Sequence, residues 1–252
     1  MHHDEVDQPA WDRPRRDAPP DHRIVICSTP RSGSYLLCRQ MINAGLGIPH
    51  EYFRARTVAA LAARFGVDAS DDDAYIDALE ARRTSANGVF AAKLQWFHLE
   101  QHPLARERLL RQADAIVFLY RRDIVAQAVS WQVSLATGYW SFDATPGPRA
   151  DDVSLERPEQ TLGLMHSLLA ENRAWEALLP KLGRRVLTVA YESLVRDQTA
   201  FVRQLAAECA LPPGAWSSPP PEGRDSRLPP DVETARDRLL AQARATYAAA
   251  AQ

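Results

Sequence analysis

Two short runs in this chain carry side chains suited to gripping negative charge. The first is STPRSGS at residues 28–34. A short β-branched run precedes it at 23–28, and Leu36, Leu37 and Met41 follow at helical spacing. A strand, a tight turn containing Gly33 and a helix start point free backbone N–H groups and the positive end of a helix dipole at one place. Arg31 adds a fixed cation, and Ser32 and Ser34 add hydroxyl donors, so the turn suits a phosphate or a sulfonate. A nucleoside triphosphatase needs G-x-x-x-x-G-K-[ST], with the lysine on the outer phosphates and the next hydroxyl on magnesium. Here Gly33 is followed by Ser34 and Tyr35, so neither role is filled and the turn reads as an anion cradle that needs no metal. On this run alone a plain strand–helix turn, with Arg31 a surface charge, stays open.

The second run is Arg121-Arg122-Asp123, directly after the apolar stretch AIVFLY, with Ser130 further along. Asp123 and Ser130 are about two helical turns apart and share a face. A guanidinium matches phosphate oxygens bidentately, so Arg121 with Ser130 can clamp one phosphate. The competing reading pairs Arg121 or Arg122 with Asp123 on a solvated helix start. That reading suits Arg122 better than Arg121, which stands at a strand end. Two anion sites at neighbouring strand ends suit a nucleotide with phosphates at both ends of its ribose.

Lys93 stands out because the chain holds only two lysines, Lys93 and Lys181, among its 30 basic residues. It lies in VFAAK, where burial is expensive without an anion partner; the other reading is the polar side of a half-exposed strand. His98 and His102 are four apart, but the intervening acid is misplaced for H-E-x-x-H and Pro103 follows at once, so no metal site is expected. Trp131, Tyr139 and Trp140 read either as core or as rings that stack on sugar faces at a cleft lip.

These residues need elements to hold them. Apolar runs at 23–28, 88–94, 115–120 and 185–190 read as strands. Helical patterns cover 34–44, 57–65, 104–112, 123–136, 158–182 and 197–209, with a further helix opened by a Ser70/Asp73 capping box and a helical tail from 231. The stretches 138–157 and 211–230 read as long loops. Strands alternating with helices predict an α/β fold with a central parallel sheet covered on both faces. Ligands on such sheets bind beyond the carboxyl ends of the strands, where both runs fall. Residues 1–21, polar and with four prolines, read as a disordered N-terminal arm, and 22–252 as a single domain.

Composition narrows the function. The 252 residues carry 30 basic and 32 acidic side chains, a formal charge of −2, with 46% apolar residues. That balance argues against bulk-charge coating of nucleic acid. No run of 18 apolar residues predicts a membrane span. Three scattered cysteines, Cys27, Cys38 and Cys209, suit reduced thiols in a cytoplasmic protein.

CSTPRSGSYLL and YRRDIVAQAVSW together resemble the two nucleotide signatures of sulfotransferases that use 3′-phosphoadenosine-5′-phosphosulfate. The closer resemblance is to the bacterial trehalose 2-sulfotransferase-like family, through GIPHEYF, VFAAKLQWF and VAYESLVRDQ in the same order over most of 23–210. The resemblance implies a P-loop-like three-layer fold and a sulfotransferase acting on a carbohydrate or glycosylated small molecule without a metal. By the match, Pro30, Arg31, Ser32, Gly33 and Ser34 hold the 5′ end of the donor, Thr29 and Pro30 shape the turn, and Arg121 with Ser130 holds the 3′-phosphate. Arg122 stands where relatives carry a proline-containing stretch, so either arginine can be the ligand. Tyr191 matches a tyrosine near the adenine, or packs under the next helix. Glu51 matches the acceptor-side base, with His50 beside it as a rival and a solvated loop carboxylate as the plain reading. An apolar surrounding from Tyr52 and Phe53 would raise its pKa. From its strand end, Lys93 can itself steady the transferring sulfonate or the leaving phosphate. Gln95 stands where wider relatives place a histidine base, which moves the base role to Glu51. Arg224 or Arg227 is a further candidate for the 3′-phosphate. Relatives include homodimers, and the acceptor stays open. The rival functions are a magnesium-dependent nucleotide phosphotransferase on the same fold and a non-catalytic nucleotide- or sugar-binding module.

Overall fold

The structure, a computed structural model, describes residues 6–140, 157–211 and 228–250. Four strands form one sheet among them: β1 (His22–Ser28), β2 (Val89–Gln95), β3 (Ala115–Tyr120) and β4 (Val186–Ala190). Their order is β2-β1-β3-β4 and every pair is parallel. The register sets Ser28 beside Gln95 and Leu119, and Tyr120 beside Ala190, so all four carboxyl ends open on one edge. The turns that follow β1 and β3 are therefore neighbours.

The helices are α1 (Ser34–Asn43), α2 (Ala55–Phe65), α3 (Asp72–Arg83), α4 (Trp96–Leu99), α5 (Pro103–Gln112), α6 (Ile124–Thr137), α7 (Pro158–Leu178), α8 (Tyr191–Arg196), α9 (Gln198–Glu208) and α10 (Pro230–Ala250). Successive strand residues face opposite sides, which divides the core in two. On one side Val25, Phe90, Ile116 and Phe118 pack with Leu61, Leu79, Leu109 and Trp175 from α2, α3, α5 and α7. On the other, Ile24, Ile26, Val117 and Leu119 pack with Leu37 and Met41 of α1 and with Phe201 and Leu205 of α9. This is the three-layer arrangement expected, and strands buried on both faces explain why they read as unbroken apolar runs. A third, smaller cluster joins α6, α7 and α10.

Some local expectations need correcting. The cap of α3 is Asp71, whose side chain accepts from Ala74 N at 3.0 Å, not a Ser70/Asp73 box. Ser70 is instead held by Asp68, and Asp73 pairs with Arg108. Two short helices, α4 and α8, directly continue β2 and β4, and no separate pattern of residues predicts them. The long helix expected over 158–182 ends as α7 at Leu178, and a 3₁₀ turn, Leu179–Leu182, completes the span around Pro180.

Residues 6–21 also depart from the disordered arm expected. Arg13 N and Arg16 N donate to the carbonyls of Arg82 and Ala81 at 2.8 and 2.9 Å, and Val6 is buried. The cause is Arg83 of α3, fully buried, which pairs through Nη2 with Asp12 at 2.8 Å and donates through Nη1 to the Val6 carbonyl. A buried guanidinium needs such partners, and the polar segment supplies them.

Candidate active site

The turn after β1 is held open by its backbone. Arg31 has φ 60° and Gly33 φ 88°, and α1 begins at Ser34. A Cβ on Gly33 would lie 2.3 Å from Tyr191 Cδ2, so the tyrosine ring rests directly on the turn. Gln127 of α6, fully buried, donates to Thr29 Oγ1 at 3.0 Å and to the Pro30 carbonyl at 2.6 Å. From α7, Trp175 Nε1 donates to the Ser28 carbonyl at 3.2 Å, and Thr29 Oγ1 reaches Asn172 at 3.4 Å. Ser32 and Ser34 are buried in the turn. Ser32 Oγ is a buried polar atom with no hydrogen-bond partner among the described residues. Buried hydroxyls are normally satisfied, so this one suits a donor to an incoming oxyanion.

The turn after β3 meets the first one. Arg31 Nε donates to Ser130 Oγ at 3.0 Å, and its Nη1 donates to the Trp140 carbonyl. Burial and the neighbouring charge of Arg121 push the Arg31 pKa down to about 10. Two cations brought this close favour a dianionic ligand between them. Arg121 lies over the Tyr191 ring, 4.8 Å from its centroid, and its Nε is buried without a partner among the described residues. Arg122 turns away: its N–H donates to Glu192 at 3.2 Å and its Nη2 to Ser193 at 3.3 Å. The geometry thus separates the two arginines. Asp123 pairs with neither of them. It caps α6 by accepting from Ala126 N at 2.9 Å and pairs with Arg244 of α10 at 2.7 Å.

Beside this cluster lie Glu51 and Lys93. Lys93 Nζ is 2.8 Å from Glu51 Oε1, and Gln95 Nε2 donates to the same oxygen at 3.2 Å. Both β2 side chains point to the face shared with α1. The surrounding of Glu51 is not the apolar one expected, because Tyr52 and Phe53 turn into the core. There Tyr52 OH donates to the Ile48 carbonyl at 2.6 Å, and Phe53 packs edge-on against Tyr75. Glu51 instead meets the charge of Lys93.

His50 pairs through Nε2 with Asp7 at 2.9 Å; burial pushes its pKa down. His98 lies close enough to feel Glu51 and Lys93, and burial pushes its pKa down to about 4. His102 is held separately by Asp72, at 2.7 Å. Arg224, Arg227 and most of the loops expected over 138–157 and 211–230 lie outside the described residues.

The structure therefore brings Arg31, Ser32, Gly33, Ser130, Arg121 and Tyr191 into one cluster and pairs Glu51 with Lys93 next to it. Sequence reading missed Gln127 as the strut of the first turn. Its signal was a polar side chain inside the apolar run IVAQAV. It also missed Glu171 on α7, a carboxyl whose Oε2 is buried without a partner among the described residues.

The Stf0 sulphotransferase family matches residues 23–221. A curated relative, trehalose 2-sulfotransferase of Mycobacterium tuberculosis (strain ATCC 35801 / TMC 107 / Erdman), is 26% identical over 219 residues, covering 71% of this chain and 80% of that protein. Among solved structures, a sulfotransferase from Mycobacterium avium covers 90% of this chain and 69% of its own at 12% identity and TM-score 0.48. The sulfotransferase domain of an olefin synthase from Synechococcus PCC 7002 covers 90% and 96% at 17% identity and TM-score 0.46. The family match runs through both anion-suited turns, the Glu51 loop and the lysine of β2, and on that ground the chain belongs to the Stf0 sulphotransferase family.

Proposed function

We propose that this sulfotransferase moves a sulfuryl group from 3′-phosphoadenosine-5′-phosphosulfate to a hydroxyl of a carbohydrate or glycosylated small molecule. The observation that carries the reading is the Arg31–Ser130 hydrogen bond, which locks the two turns into one surface with Arg121 and Tyr191 alongside. In this reading the turn from Pro30 to Ser34 takes the 5′-phosphosulfate on its N–H groups, Ser32 and Arg31. Arg121 and Ser130 take the 3′-phosphate, and Tyr191 lies by the adenine. The acceptor oxygen attacks sulfur in line, the bond from sulfur to the bridging phosphate oxygen breaks, and Glu51 receives the acceptor proton. Lys93 and the turn stabilise the charge that develops on the leaving nucleotide. No step calls for a metal.

The same reading takes the enzyme as cytoplasmic, in keeping with three buried free cysteines. No described helix is long and apolar enough to cross a membrane. A pairing into homodimers is part of the proposal and is read by sedimentation.

Incubation with labelled donor and a panel of disaccharides and glycosides, alongside calorimetry with 3′-phosphoadenosine-5′-phosphate, tests it. Transfer to a sugar hydroxyl, and a bisphosphate at least tenfold tighter than AMP, are expected. A bisphosphate that binds no better than AMP, with no transfer, overturns the reading.

A further inference from the structure

The segment that precedes β1 lies outside the family-matched residues, yet it grips the loop carrying Glu51. Asp7 Oδ1 is 2.9 Å from His50 Nε2, and Asp7 Oδ2 accepts from Thr57 Oγ1 at 3.3 Å. One carboxylate therefore bridges the two flanks of the loop, one residue before Glu51 and six after it. His50 is also held from the opposite side. Its carbonyl accepts from Lys93 N at 3.0 Å and from Tyr52 N at 2.9 Å. The segment itself is anchored by Asp12, which pairs with Arg83 at 2.8 Å and with Arg64 at 3.5 Å. Val6, almost fully buried, closes a small pocket that His50 and Lys93 also line.

We infer that residues 6–12 are a strap belonging to the active site, and that Asp7 is a positioning residue acting through His50. By fixing the imidazole it fixes the peptide from which Glu51 reaches Lys93. The inference rests on the reading of Glu51 as the base. A ring buried this deeply needs an acceptor, and the carboxylate that faces it also holds Thr57 on the far flank of the loop. Displacing a catalytic group by about 1 Å costs on the order of a hundredfold in rate, so a strap that removes such freedom acts on turnover and not on nucleotide affinity.

The experiment compares the full chain with Asp7→Ala and Asp7→Asn. Amide hydrogen exchange should rise about tenfold in the 48–54 peptide of Asp7→Ala and stay unchanged in the 115–120 peptide. Turnover should fall about tenfold, while donor KM and the affinity for 3′-phosphoadenosine-5′-phosphate stay within twofold. Asp7→Asn, whose amide oxygen still accepts from His50, should recover most of both. In a Glu51→Gln background Asp7→Ala should cost no further turnover, because the two act as a unit. Exchange that rises evenly across the sheet, or that rises nowhere, overturns the inference. If the parent transfers no sulfuryl group at all, the reading of Glu51 falls instead, and the exchange data still decide whether Asp7 holds the loop.

Discussion

Glu51 and Gly33 show how much rests on single side chains. Glu51 is 2.8 Å from Lys93, so the base and the cation proposed for the leaving side hold each other in the absence of substrate. Glu51→Gln keeps the shape and the contact with Gln95 but cannot take a proton. Steady-state assays should show turnover lower by about 10²–10⁴-fold, with bisphosphate affinity unchanged by calorimetry; Arg121→Ala should do the reverse. The opposite pattern would mean that the two roles are exchanged. Gly33 has φ 88° and no room for a Cβ, which would sit 2.3 Å from the Tyr191 ring. Gly33→Ala should therefore displace Tyr191 and, with it, Arg121 above its ring. A measurable loss of bisphosphate affinity is expected, alongside about 1 kcal/mol of folding stability lost to backbone strain. In a Tyr191→Ala background only the loss of stability should remain. An equal loss of affinity in both backgrounds would show that the ring does not transmit it.

At the scale of elements, the two anion-suited turns are placed by strand ends and helix starts, and those were the parts legible in the sequence, whereas Glu51 sits on the loop before α2 and Ser130 inside α6. The strand runs and their parallel pairing followed from short apolar stretches alternating with helices, and the place of Arg31 and Arg121 at the strands' carboxyl edge followed from the turns after β1 and β3. Less legible were the contacts that depend on tertiary neighbours. Nothing local to Arg122 shows that Glu192 and Ser193 draw it aside, and nothing local to Asp7 or Asp12 shows that buried His50 and Arg83 call for them. Asp123 illustrates both kinds. Its helix-start character was readable, but its pairing with Arg244, 121 residues away, was not. Asp123→Ala should cost about 1–2 kcal/mol through the lost cap, seen as a Tm lower by a few degrees. Asp123→Asn, a good cap without charge, should cost little, because the Arg244 pair is exposed. A large loss in the asparagine variant would place the energy in the ion pair instead.

For the whole molecule, two half-buried titratable groups pull stability in opposite directions over the same pH range. Burial, with Glu100 nearby, raises the Glu171 pKa to about 7. Between its ordinary value and that one, the folded chain holds a proton that the unfolded chain releases. Its contribution is therefore full below the unfolded value and is lost as pH rises towards 7. His98 behaves inversely. Burial lowers its pKa to about 4, so the unfolded chain binds a proton that the folded one refuses, and stability is lost as pH falls from about 6.5 towards 4. Each contribution is on the order of 1–3 kcal/mol, and between about pH 4.5 and 6.5 the two largely offset. Removing either should expose the other. Melting curves of Glu171→Gln should fall more steeply than the parent on acidification from pH 6.5 to 4.5. Those of His98→Gln should instead decline as pH rises from 4.5 to 7. Parallel curves for parent and both variants would mean that neither group is buried as its surroundings indicate. A rise in the Glu171→Gln melting temperature at pH 8, where the buried carboxylate would otherwise be ionised, gives the same answer without acid.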